Sequence, residues 1–152
     1  MGSAYFYHLT TGSVEQTLPM LLEKSRGAGW LVEVRGVDRG AMERLDNALW
    51  AGPPEGFLPH GMVGGDHDAD QPILLITGET ASNGANCVMS VHGAVVSPQE
   101  VKDAQRVCVL FDGYDEEALS AARVQWKTLT DAGCSAQYWS QDSGRWEMKA
   151  EK

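Results

Sequence analysis

Few residues in this chain are placed to do chemistry, and the most orderly group of them is cationic. Arg123 and Lys127 stand four residues apart with Trp126 between them, inside a stretch of about 116 to 132 that reads as a helix. Residues at i and i+4 share a helix face and i+3 lies beside them, so two cations sit against an aromatic wall. Taken alone, these residues describe a solvated face with the indole packed inward. With His60 they could also line a cleft for an anionic metabolite, which is the enzymatic reading of the same cations. A second cluster, Asp66-His67-Asp68-Ala69-Asp70, gathers metal-ligand types in an acidic loop. Metal sites usually draw ligands from separate elements with a fixed outer shell, so a solvated loop is the reading preferred here.

Catalytic signatures are missing. The chain has no G-x-S-x-G elbow, no H-E-x-x-H and no G-x-x-x-x-G-K-[ST] phosphate loop. A dinucleotide site needs glycines between the first strand and its helix, where backbone must approach a pyrophosphate, and that turn offers only Gly12. Asp115, Glu116 and Glu117 crowd together at the start of a helix, where they serve as partners of its dipole. Cys87, Cys108 and Cys134 are widely spaced in apolar, strand-like stretches and form no C-x-x-C, so they read as buried reduced thiols. No catalytic residue, metal or cofactor is expected.

The elements that must position these groups fit one domain spanning 1–152. The chain has 43% hydrophobic and 22% charged residues, enough apolar material for a core. No apolar run approaches the roughly 20 residues of a membrane helix, and no basic, apolar leader precedes the first strand. A cytoplasmic protein is expected. Twelve Lys+Arg against 21 Asp+Glu leave a net charge of −9, the wrong sign for direct binding to a nucleic-acid backbone.

Residues 4–9 and 30–35 read as strands, separated by a helix over about 14–26 that Ser13 caps and Gly27-Ala28-Gly29 stops. Pro19 suggests that its first turn starts late. Asp38 caps a helix near 39–51 with Met42, Leu45, Ala48 and Leu49 on one side. After an irregular segment at 52–71 come strands at 73–77 and 87–91, with an Asn83-Gly84 turn between them. A short helix at 98–105, a strand at 107–111, the 116–132 helix and final strands at 134–139 and 145–148 complete the pattern. This succession predicts an α/β domain with a mostly parallel, Rossmann-like sheet flanked by helices and without a nucleotide site.

One run stands out. From Leu45 the chain reads Leu-Asp-Asn-Ala-Leu-Trp, then a proline-bearing loop, then Phe57-Leu58-Pro59-His60. From residue types alone Trp50 reads as a core plug, whereas Phe57 is as much an interface anchor as a plug. The run resembles the chi subunit family of bacterial DNA polymerase III, in which a helix ending L-D-x-x-L-W leads to F-x-P-H. Phe6 and Tyr7 of the first strand, Ala122-Arg123, Trp126 and Lys127 of the late helix, and the Tyr138-Trp139 and Gly144-Arg145-Trp146 strands are similar to the family too. The likeness runs from about 4 to 148.

The resemblance implies a non-catalytic adaptor of the clamp-loader assembly with a nucleotide-free Rossmann-like fold. One face would bind the acidic C-terminal tail of single-stranded-DNA-binding protein. Another would bind the psi subunit or a helicase-like partner. Arg123, Trp126 and Lys127 fall at the tail site, where a guanidinium can hold a terminal carboxylate in bidentate fashion and a ring offers an apolar slot. Lys127 would screen the acidic residues upstream. Trp50, Phe57, Pro59 and His60 fall at the second surface. Two positions depart from the family: Leu119 stands where members often carry Lys, and Asp112 where some are apolar. Arg106 or Lys102 could supplement the tail site.

Overall fold

The computed structural model describes residues 2–10, 13–51, 60–77, 83–141 and 146–152. Its helices begin where polar caps dictate. Ser13 opens α1 (Val14–Gly27): its hydroxyl accepts from the Gln16 amide at 3.3 Å, while the Gln16 side-chain oxygen accepts from the Ser13 amide at 2.9 Å. This reciprocal pair satisfies two donors that a first turn leaves open. The cap thus overrides Pro19, and the late start expected from that proline is corrected. Pro19 lies inside the helix, where its missing N–H leaves the Glu15 carbonyl without an intrahelical donor; Glu15 is exposed, so water can supply one. At the far end Gly29 takes φ +82°, and the Gly29 and Trp30 amides donate to the Arg26 and Ser25 carbonyls at 3.0 and 3.1 Å. That left-handed turn closes α1.

The remaining elements are β1 (Ser3–Leu9), β2 (Val32–Arg35), α2 (Arg39–Trp50), β3 (Gly61–Met62), β4 (Ile73–Ile76), β5 (Cys87–Ser90), α3 (Pro98–Asp103), β6 (Arg106–Asp112), α4 (Glu116–Asp131), β7 (Ser135–Ser140) and β8 (Glu147–Glu151). Asp38, Ser97 and Asp115 cap the three later helices. Of the segment expected to be irregular at 52–71, the described residues 60–71 contribute β3 and a 3-10 turn at Asp68–Asp70, and 52–59 lies outside the described residues. The Gly12 and Gly144 turns lie outside them too.

The eight strands among the described residues join one sheet in the order β3-β4-β2-β5-β6-β1-β7-β8, parallel throughout except for β7 with β8. β4 and β5 flank β2 rather than each other, so the Asn83-Gly84 turn belongs to a crossover instead of a hairpin. The Asn83 side-chain Nδ2 donates to the Val32 and Gln71 carbonyls at 3.0 and 2.9 Å and ties that crossover to the sheet.

Strand periodicity divides the core in two. Val32, Val34, Cys108 and Leu110 pack beneath α1 and α2 with Leu18, Leu22, Met42 and Leu45. Phe6, Val107, Val109 and Phe111 point to the opposite face and pack beneath α3 and α4 with Val101, Ala122 and Leu129. The result is a three-layer sandwich whose two faces read directly from alternating residues.

Candidate functional site

Both ends of α4 are fixed before its side chains matter. Asp115 Oδ1 accepts from the Glu117 and Ala118 amides at 3.0 and 3.3 Å, and Gly133, at φ +89°, turns the chain out of the helix. Ala122 and Leu129 then face the sheet. Arg123 and Lys127 fall on the exposed side, as their spacing predicts. Arg123 makes no ion pair with any described residue, whereas Lys127 Nζ is held by Asp131 Oδ2 at 2.9 Å.

Trp126 does not stand free beside them. Its ring meets Phe6 edge to face at 5.3 Å between centroids and Tyr138 at 6.0 Å. Half-buried, it forms the rim of an aromatic cluster that extends through Tyr138 to His8 and Phe111. His8 stacks on Phe111 at 5.3 Å, and its Nδ1 lies 3.0 Å from the Tyr138 hydroxyl. Such a cluster holds its rings in fixed edge-to-face geometry. Tyr138, His8 and Phe111 were not singled out in the sequence for this surface; the signal for them is the pairing of parallel strands, which sets His8 opposite Phe111 and Phe6 opposite Tyr138.

The two departures have separate fates. Leu119 packs partly buried against the core under α4. Asp112 is exposed at the end of β6 and accepts from the Tyr114 amide at 2.9 Å. Arg106 lies on the other face of the sheet, over Tyr5 and Trp30, so it cannot supplement Arg123. Lys102 is exposed on α3.

The second surface lies at the opposite half of the sheet. Met42, Leu45 and Leu49 turn α2 inward, and Trp50, just beyond that stripe, is 50% exposed. The reading of Trp50 as a core plug is therefore corrected. His60 takes the buried place instead: its ring packs against Trp50 at 4.1 Å, and its Nε2 lies 3.1 Å from Asp46 Oδ1. The sheet thus brings Trp50, His60 and Asp46 together. Phe57 and Pro59 lie outside the described residues.

This layout separates the groups that an enzymatic cleft would need. His60 stands beside β3 under α2, whereas Arg123 and Lys127 lie on α4, across β6 and β7 on the other face. From β3 to β6 is four strand spacings, about 19 Å. A different crevice, of about 1140 Å³, opens where β1 and β6 send their chains to opposite faces, the place where open α/β sheets receive ligands. Here its walls carry Glu15, Asp112, Asp115 and Glu117, and Asp115 already occupies the first amides of α4. The donors that would cradle a phosphate are satisfied by the chain's own carboxylate. In the acidic loop Asp68 accepts from the Gly64 and Gly65 amides at 2.9 and 3.0 Å, a turn-forming role. No group of three metal-ligand types converges among the described residues.

Comparison with known proteins places the sequence in a family. The family model described as DNA polymerase III chi subunit, HolC, matches residues 1–137. The chain is also similar to the DNA polymerase III subunit chi of Pseudomonas aeruginosa, with 28% identity over 114 residues, covering 74% of this chain and 76% of that protein.

Proposed function

The chain belongs to the DNA polymerase III chi subunit family, and from that premise we propose that it is a non-catalytic adaptor of the clamp-loader assembly. Its role is to link the replicative polymerase to coated single-stranded DNA. The exposed face of α4 takes the acidic C-terminal tail of single-stranded-DNA-binding protein. Arg123 holds the terminal carboxylate, Trp126 walls the apolar slot and Lys127 screens the acidic residues upstream. Trp50, Phe57, Pro59 and His60 receive the second partner, psi or a helicase-like protein. The protein works in the cytoplasm without cofactor or metal and meets nucleic acid only through its partners.

The observation that supports this reading best is Arg123. In a chain with 21 acidic residues it has no carboxylate partner among the described residues, and it stands one turn from an indole anchored edge-on by Phe6 and Tyr138. A guanidinium free of its own counter-ion beside a fixed ring suits a ligand that ends in an aromatic residue and a carboxylate. The test is fluorescence anisotropy of a labelled acidic peptide ending in Phe, with a control peptide lacking that Phe. Saturable binding that needs the Phe is expected. Equal binding of both peptides, or of neither, would remove the tail from the account.

A further inference from the structure

On the face opposite α4 the described residues do not fully cover the sheet. α1 and α2 shield its middle, and between α1 and the strands β1, β6 and β7 a cavity of about 520 Å³ remains, within the range of small-molecule sites. Tyr5, Trp30, Trp139 and Trp146 supply much of its wall, with Lys24 and Arg106 as its charged groups. Among the described residues no Asp or Glu lines it, in a chain that carries 21 of them.

Arg106 is the centre of this site. Its guanidinium carbon lies 4.1 Å from the centroid of Tyr5 and 5.1 Å from that of Trp30, so the cation is held between two ring faces. Its one hydrogen bond among the described residues is a long contact, 3.4 Å from Nη2 to the Tyr5 hydroxyl. Its Nε is shut off from solvent and has no acceptor among the described residues. Of the five N–H donors a guanidinium offers, this buried one is costly to leave unmade unless an acceptor arrives. Lys24, exposed on α1 at the rim, also lacks a partner among the described residues. The aromatic walls set the shape of what fits, and the two cations set its charge.

We propose that this cavity is a binding site for a small ligand made of an aromatic ring with an adjacent anionic group, the ring lying among Tyr5, Trp139 and Trp146 and the anion meeting Arg106 and Lys24. The site lies across the sheet from the face proposed for the tail and does not depend on it. A carboxylate and a phosphate both meet this description, and the experiment separates them.

Three of the five tryptophans line the cavity, so intrinsic fluorescence is a built-in reporter. The full chain is titrated with N-acetylphenylalanine and, separately, with adenosine monophosphate. N-acetylphenylalanine amide lacks the charge and N-acetylalanine lacks the ring. A saturable fluorescence change with one of the two anionic aromatics, absent with both controls, is expected, and the responding compound identifies the anion. Arg106→Met should weaken that binding at least about tenfold, the effect of one lost charge-assisted contact. Because Arg106 also braces Tyr5 and Trp30, Lys24→Glu provides a second variant on an exposed helix face, and it should weaken binding without changing the melting temperature. No response to either compound, or a response unchanged in both variants, overturns the proposal.

Discussion

At the scale of single residues, two cations that share one helix face differ in what already holds them. Lys127 is already held by Asp131 in an exposed pair, which is worth little by itself but must be given up when a ligand arrives. Arg123 has no ion pair with a described residue to give up. Arg123→Ala should therefore weaken tail-peptide binding by about ten- to a hundredfold, the equivalent of ~1.5–3 kcal/mol. Lys127→Ala should cost less than about fivefold in the same anisotropy titration. Trp50→Ala should leave thermal stability nearly intact, since the ring is half-exposed, yet remove most of the affinity for the second partner in a pull-down. The positions of these residues on their helices were legible in the sequence. Their burial was legible only in part. Trp50 looked like core because it is large and apolar, but it sits about 100° around α2 from Leu49 and so leaves the buried stripe. Trp126 shows the reverse, because its partners Phe6 and Tyr138 come from strands far away in the chain and no helical pattern announces them.

Elements are fixed by their ends, and this is where the sequence was most readable. Ser13, Asp38, Ser97 and Asp115 each cap the helix they precede, and glycines at positive φ close α1 and α4. Gly133→Ala has room for its methyl, so its cost is the backbone conformation alone. A loss of about 1–2 kcal/mol is expected in urea unfolding. α3 is tied to the sheet by Arg35, whose guanidinium bonds both Glu33 of β2 and Glu100 of α3. That hydrogen bond holds the Glu100 carboxyl below its ordinary range, against the opposing effect of burial. A depressed carboxyl contributes stability above its unfolded pKa, and that stability is lost as pH falls through the folded value. Wild type should therefore exceed Glu100→Gln in stability at pH 7, and the gap should narrow as pH drops below about 4.5, as acid titration of the melting temperature would show. The start of α1 was legible in Ser13 itself, and only the proline in its second turn argued locally for a later one.

The whole molecule adds what neither residues nor elements contain, namely which of them meet. Fold class followed from the alternation of strands and helices, but the strand order did not. Parallel strands pair across long connections, so nothing local tells that β4 and β5 both flank β2 or that β6 lies beside β1. That order sets Trp50 and His60 at one edge and Arg123 on the opposite face, which argues against a shared cleft for an anionic metabolite. It also distributes the five tryptophans among three surfaces: Trp126 on α4, Trp50 at the end of α2, and Trp30, Trp139 and Trp146 around the cavity beside α1. Each surface thus carries its own indole N–H. The most direct measurement is a nuclear magnetic resonance titration of the nitrogen-labelled tryptophan side chains with the acidic peptide ending in Phe. The Trp126 resonance should shift progressively to saturation while that of Trp50 stays in place, and the Trp126 shift should disappear in Arg123→Ala. Saturable binding that moves the other indoles and leaves Trp126 still would contradict this.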